Sequence, residues 1–259
     1  MRHVQIILGP PGTGKTTTLL NIVDNALKRG VPPERIAYLA FTRKAASEAQ
    51  ERAMVQFGFD ADRFPYFRTL HSLAFKTLGL QRDEVMTDNH YRKLGKAIGV
   101  EFKGIYDENL GIHTGDGLGD KCSRVESLAR VGIRSMEDQY HISNQNDLTL
   151  HAVKQYNNSL TTYKKRNGLL DFTDMLQRYE TALPIDICIV DEAQDLSPEA
   201  YKLIRALVPE GKNDIFVVGD GHQRIYRYKV SLSRCGIKIV GRSYRLRINY
   251  RTTDEIRAS

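Results

Sequence analysis

Gly9-Pro10-Pro11-Gly12-Thr13-Gly14-Lys15-Thr16 fits the pattern GxxxxGK[ST] between a strand-like run, Val4–Leu8, and a helical pattern. Glycines at these positions leave backbone amides free to face an anion, and the helix start adds its partial positive charge. In such a cradle Lys15 reaches the β- and γ-phosphates of a nucleotide, and the Thr16 hydroxyl ligates magnesium. A second group with chemical potential is Asp191-Glu192-Ala193-Gln194-Asp195, which directly follows the apolar run Ile187–Val190. At a strand end beside a phosphate cradle, Asp191 can hold magnesium through water and Glu192 can polarise an attacking water. The same two acids could instead cap a helix that begins near Pro198. The cradle alone does not separate kinases, GTPases and motor ATPases; the paired acids after a buried strand favour nucleotide hydrolysis.

The elements that must position these groups alternate along the chain. Ile36–Ala40, Ile187–Val190 and Ile215–Val218 join Val4–Leu8, in which Gln5 is the one polar residue, as short, predominantly apolar strands. Between them run helical patterns: one with Leu19, Leu20, Ile22, Val23, Ala26 and Leu27 on a single face, stopping at Gly30, one over about Arg43 to Phe57, and one over about Pro198 to Leu207. Strands that are apolar throughout and separated by helices predict an α/β fold whose parallel sheet is covered by helices on both faces. From about Gln81 to Gly168 no continuous apolar strand occurs, and this part reads as a mostly helical insert. The glycine-rich break Gly111–Gly119 within it reads as a mobile loop, because no strand precedes it as a phosphate cradle would require.

Composition narrows the class. The 259 residues, 41% hydrophobic and 27% charged, are ordinary for a globular protein, and length allows one large domain or two smaller ones. No apolar run reaches membrane-span length and no signal-peptide core opens the chain, so an intracellular, soluble protein is expected, with no membrane partner. Cys122, Cys188 and Cys235 are widely spaced, which argues against a disulfide framework or a zinc ribbon, and His222 has no second ligand at metal-binding spacing. The net charge is +7, and from Arg224 to Arg251 the chain has nine basic residues and no acid. Such a run can simply be a solvated face, but Tyr226, Tyr228, Tyr244 and Tyr250 lie within it, and bases interleaved with aromatics suit a nucleic-acid strand.

Further motifs stand in order between and after the two groups: Ala40-Phe41-Thr42-Arg43-Lys44-Ala45-Ala46, Thr69-Leu70-His71-Ser72, Asp171-Phe172-Thr173-Asp174-Met175-Leu176, Val218-Gly219-Asp220-Gly221-His222-Gln223-Arg224-Ile225-Tyr226 and Leu246-Arg247-Ile248-Asn249-Tyr250-Arg251. With the cradle and the DEAQD acids, this set resembles superfamily 1 helicases of the UvrD/Rep/PcrA type, over residues 9–251. The resemblance implies a RecA-like P-loop domain formed by residues 1–80 and 169–259, interrupted by a helical insert, residues 81–168, similar to the 1B subdomain. It implies ATP and Mg2+ as cofactors, with Thr16 and Asp191 at the metal. Nucleotide contacts fall to Gly9, Pro10, Gly12, Thr13, Gly14, Lys15, Thr16, Thr17, Arg43 and Tyr250, the last stacking on adenine. Lys15, Asp191, Glu192, Gln223 and Arg251 form the implied catalytic set, Gln223 sensing the γ-phosphate and Arg251 acting as an arginine finger. Phe41, Thr42, His71, Tyr226 and Tyr228 would lie along single-stranded DNA; the less favoured alternatives are Phe41 and Tyr228 as packing aromatics and His71 as a loop hydrogen-bonder.

The implied activity is ATP hydrolysis coupled to 3′-to-5′ movement on single-stranded DNA, with single-strand/duplex junctions as substrates and a cytoplasmic, nucleoid-associated setting. Departures qualify it. Arg43 stands where the family commonly has Asn, Tyr228 where it has a base-stacking Trp, and Lys229-Val230-Ser231 where RGA is usual. There is no room before Val4 for the adenine-reading glutamine motif, and the chain stops at Ser259, before motifs V and VI. A first motor lobe of this kind is expected to bind nucleotide and hydrolyse it poorly, with the second RecA-like lobe coming from a longer protein or another chain. Two other classes stay open: a nucleotide-dependent binding or regulatory module, and an ATPase half-site completed in trans.

Overall fold

The apolar runs become strands. In chain order these are β1 (His3–Leu8), β2 (Ile36–Ala40), β3 (Phe67–Thr69), the short pair β4 (Tyr106–Asp107) and β5 (Ile112–His113), β6 (Ile187–Val190), β7 (Asp214–Gly219) and β8 (Ser243–Arg245). The helices are α1 (Lys15–Lys28), α2 (Arg43–Phe57), α3 (Leu70–Thr77), α4 (Asp88–Ile98), α5 (Leu118–Val131), α6 (Met136–Ser143), α7 (Leu150–Asn167), α8 (Phe172–Gln177) and α9 (Pro198–Leu207). This computed structural model describes residues 3–9, 14–107, 111–143, 147–193, 196–208, 214–219 and 243–245. It divides into two units: Met1–Leu73 with Glu180–Leu196 and Tyr201–Ser259, and Ala74–Tyr179 with Ser197–Ala200.

The first unit is built on a parallel sheet in the order β3-β2-β6-β7-β1-β8 among the described residues, flanked by helices, the α/β class expected. β2 and β6 are buried at every position, as strands covered on both faces must be. α1 buries Leu19, Leu20, Val23 and Ala26. α2 buries Ala46, Ala49 and Ala53, three small side chains on one face that let it lie close to β2 and β3. The Thr42 hydroxyl caps α2 by accepting from the Ala45 N–H at 3.2 Å, and Gly58, at φ +70°, ends it. Registers Ala40↔Thr69, Leu39↔Val190, Val190↔Val217 and Leu8↔Gly219 bring the strands' C-terminal ends to one edge, where ligands of open α/β sheets bind.

β3 and β8 have no apolar run to announce them. β8 falls inside the acid-free stretch 224–251, where Ser243, Tyr244 and Arg245 pair in parallel with Ile6, Ile7 and Leu8. That part of the stretch is therefore sheet backbone as well as basic sequence.

The second unit centres on Tyr91, Leu94, Phe102, Val125, Val153 and Tyr156, contributed by α4, α5, α7 and the segment between. Its glycine-rich break is close-packed, which corrects the mobile-loop expectation. A Cβ on Gly104 would sit 2.1 Å from the Gly115 nitrogen, and one on Gly117 would sit 2.4 Å from the Glu101 carbonyl oxygen. The carboxylate of Asp120, fully buried, collects the N–H groups of Lys103, Gly104 and Gly117 at 2.7, 3.2 and 3.0 Å. Glycine is used there for close approach, and one buried acid satisfies the amides that the approach leaves unpaired.

The Asp171–Leu176 motif lies in this unit. Asp171 caps α8, receiving the Asp174 N–H at 2.7 Å, while Asp174 receives the Asp171 N–H at 3.0 Å. Arg130 of α5 bridges Asp171 and Asp174 at 2.7 and 2.5 Å, and Lys164 of α7 bridges the same pair at 2.5 and 2.7 Å. Glu126, also buried, adds a third carboxyl 3.3 Å from Arg130.

Candidate nucleotide site

The site grows from the end of β1. The Gly9 N–H donates to the Gly219 carbonyl at 3.2 Å, which ties the ends of β1 and β7 together. Pro10, Gly12 and Thr13 lie outside the described residues. At Gly14 the backbone is left-handed, φ +74°, and its carbonyl accepts from both the N–H and the hydroxyl of Thr18, at 2.9 and 3.0 Å. Glycine takes that conformation without steric cost, so the turn can deliver the chain straight into α1. The first turn of α1 holds no acid and, among the described residues, receives no side-chain cap, which suits its amides and the positive end of its dipole to an anion. Lys15 folds back across the turn, its Nζ donating to the Gly9 carbonyl at 3.0 Å. Thr16 is half-buried and Thr17 exposed.

Two strands from β1, Asp191 occupies the end of β6 at 8% exposure. Its N–H donates to the Leu39 carbonyl at 2.8 Å, continuing the pairing with β2. Oδ1 accepts the Glu192 N–H at 2.9 Å, and Oδ2 accepts the Tyr38 hydroxyl at 2.6 Å. Burial pushes the Asp191 carboxyl above its ordinary range; the Tyr38 bond works against this, the Glu192 charge adds to it, and Lys15 is near enough to favour the ionised form. Burial, followed by the Asp191 charge, pushes the Tyr38 phenol upward in turn, so it remains a protonated donor. Glu192, half-buried, has φ +51°, a left-handed conformation that turns the chain sharply off the strand.

Sequence reasoning overlooked Tyr38. Its signal was a phenol inside a run otherwise fit for complete burial, since a buried hydroxyl needs an acceptor.

Toward the β2–β3 side of the same edge come Phe41, half-buried, then Thr42 and Arg43, both exposed, with Thr42 committed to capping α2. Thr69 is buried, and its hydroxyl accepts the Ser72 N–H at 3.2 Å. His71 sits in the first turn of α3, where desolvation lowers its imidazole to about 4, so the ring is neutral at pH 7 in the unliganded chain. The structure thus sets Gly9, Gly14, Lys15 and Thr16 on the β1 side of the edge and Phe41, Thr42 and His71 on the β2–β3 side, with Asp191 between them at the end of β6, next to β2. Gln223, Tyr226, Tyr228, Tyr250 and Arg251 lie outside the described residues.

Among the described residues no group of three His, Cys, Asp or Glu side chains could hold a metal. Thr16 and Asp191 still suit magnesium, which keeps several waters and takes only one or two protein oxygens beside those of a phosphate. No helix among the described residues is long and apolar enough to cross a membrane.

Comparison with known proteins follows the same residues. The model of the UvrD/REP helicase N-terminal domain matches residues 1–234. A "Probable DNA helicase II homolog" of Mycoplasma genitalium is 29% identical over 259 residues, covering 88% of this chain and 35% of the relative. "ATP-dependent DNA helicase PcrA" of Leuconostoc citreum is 25% identical, covering 86% and 31%. "ATP-dependent DNA helicase UvrD1" of Mycobacterium bovis is 26% identical, covering 97% and 36%. The chain spans about a third of the length of these relatives. It belongs to the UvrD/REP helicase N-terminal domain family.

Proposed function

We propose, with that family membership as premise, that this chain is the ATP-binding motor lobe of an ATP-dependent DNA helicase. The observation that carries the reading is the joint placement of Lys15, at a helix start that follows a left-handed glycine, and buried Asp191 on one edge of the parallel sheet. Gly9, Pro10, Gly12, Thr13, Gly14, Thr16 and Thr17 form the phosphate cradle, with Lys15 replacing its bond to the Gly9 carbonyl by one to the β- and γ-phosphates. Thr16 and Asp191 hold Mg2+, which when bound offsets phosphate charge. Glu192 orients the attacking water, Gln223 reads the γ-phosphate, Arg251 stabilises the charge that develops on it, and Arg43 and Tyr250 complete the nucleotide contacts. Phe41, Thr42, His71, Tyr226 and Tyr228 follow a single DNA strand, and residues 81–168 act as an insert on the lobe formed by 1–80 and 169–259. Junction binding and 3′-to-5′ polarity follow from the same reading, as does an intracellular, DNA-associated setting.

The test is ATP turnover by this chain with and without single-stranded DNA. DNA-stimulated turnover that disappears in Lys15→Ala supports the motor lobe. Because the chain spans about a third of its relatives' length, turnover is also measured with a second-lobe fragment added. Turnover seen only with that fragment favours an ATPase half-site; nucleotide binding without turnover in either case favours a regulatory module.

A further inference from the structure

We propose that Tyr38 is a positioning residue for Asp191, its buried hydroxyl fixing the carboxylate in the orientation that takes up a magnesium–nucleotide complex. The proposal rests on the nucleotide site inferred above and assigns a part of it to a strand outside the phosphate cradle. Tyr38 is 1% exposed, and its ring stacks on Phe67 with centroids 5.4 Å apart and planes 22° apart. Packing therefore places the phenol independently of Asp191. From there the hydroxyl donates to Oδ2 at 2.6 Å, while the Glu192 N–H reaches Oδ1 at 2.9 Å. The two oxygens are held from different directions, by the neighbouring strand and by the amide that follows. Each carboxylate oxygen offers about two lone-pair positions, so each keeps one for a metal-bound water.

Without the phenol, Asp191 keeps the amide bond on Oδ1, but Oδ2 loses the donor that sets its rotation. Loss of such an outer partner characteristically weakens metal affinity about 10–100-fold without touching the ligands themselves. Phosphate recognition through Lys15 and the amides of α1 does not involve Tyr38. The proposal therefore predicts a separation between nucleotide binding with magnesium and nucleotide binding without it.

The experiment is a fluorescence titration of a mant-labelled ATP analogue into the whole chain, in EDTA and across a Mg2+ series. Tyr38→Phe keeps the stacked ring and removes only the hydroxyl. It is expected to raise the Mg2+ midpoint about 10-fold while leaving affinity in EDTA within about twofold of wild type. Phe67→Leu loosens the same packing without removing the hydroxyl, and its Mg2+ midpoint is expected to shift less than that of Tyr38→Phe even where its Tm falls further. The proposal is overturned by a Tyr38→Phe midpoint equal to wild type, by equal losses with and without magnesium, or by a Tyr38→Phe chain that does not fold, since the hydroxyl would then hold the core. Failure of the underlying reading looks different: wild type binds no analogue, or Lys15→Ala binds it as well as wild type. In that case both ideas fall.

Discussion

Asp171 and Asp191 are two buried aspartates, at 3% and 8% exposure, in different units of one chain. Burial pushes both carboxyls toward the neutral form, and the outcomes diverge. At Asp171 two cations, Arg130 and Lys164, outweigh burial and hold the carboxyl well below its ordinary range. At Asp191 a phenol, an amide and a more distant Lys15 do not outweigh it, and the carboxyl stays raised. A buried acid whose charge is matched inside the fold serves the fold; one that the described residues leave short of positive charge at a sheet edge fits the cation-holding role proposed for Asp191. The neighbouring Glu126 obeys the same logic. Two cations face three carboxyls in that cluster, and burial raises Glu126, the acid with the longest contact to Arg130.

The comparison can be broken by mutation. Asp171→Asn should cost about 3–5 kcal/mol of stability, because it leaves buried cations short of a partner. Urea denaturation followed by circular dichroism measures this, and a loss below about 1 kcal/mol would place Asp171 outside the structural role. Asp191→Asn should act the opposite way. ATP turnover should fall at least about 100-fold, about 2.7 kcal/mol of barrier, while the nucleotide-free Tm stays level or rises because an under-matched buried charge is gone.

A third prediction concerns protons in the second unit. His113 is fully buried against Tyr91, Phe102 and Tyr106, and burial lowers its imidazole to about 4. The unfolded chain takes up this proton near pH 6.5 and the folded chain does not. The His113 contribution to stability is therefore complete above about pH 6.5 and is lost as pH falls toward 4, by at most about 1.4 kcal/mol per pH unit. Denaturation curves at pH 7, 6 and 5 should show this slope, and His113→Leu should flatten it.

The smallest effect should come from Ile133. It ends α5 in a Schellman arrangement, with Arg134 N–H to the Ala129 carbonyl at 2.9 Å and Ile133 N–H to the Arg130 carbonyl at 3.2 Å. This places an exposed β-branched residue at φ +51°, where glycine is the usual occupant. Ile133→Gly is expected to stabilise the chain by about 0.5–1 kcal/mol, read as a rise in Tm, with nucleotide binding unchanged.

What the sequence reveals differs between the two regions for a physical reason. Ile36–Ala40 and Ile187–Val190 end where expected because full burial demands an unbroken apolar run, and α2 spans Arg43–Phe57 as its pattern implies. The positions of Lys15, at the start of α1, and Asp191, at the end of β6, are legible because a glycine-rich turn precedes the one and an unbroken apolar strand the other. Tyr38 is not, because its partner lies 153 residues away and only sheet order brings them together. The Arg130–Lys164–Asp171–Asp174 cluster is hidden likewise, since its members come from α5, α7 and α8. The glycines of 111–119 suggest freedom when counted, whereas their spatial neighbours leave no room for a Cβ at Gly115, Gly117 or Gly119.

The most direct test of the contrast between the two aspartates is calorimetric titration of an ATP analogue into Asp191→Asn and Asp171→Asn, each with and without Mg2+. The account predicts that Asp191→Asn binds nucleotide but loses the gain that magnesium gives, while folded Asp171→Asn keeps it. A magnesium gain retained in Asp191→Asn, or lost in folded Asp171→Asn, would contradict it.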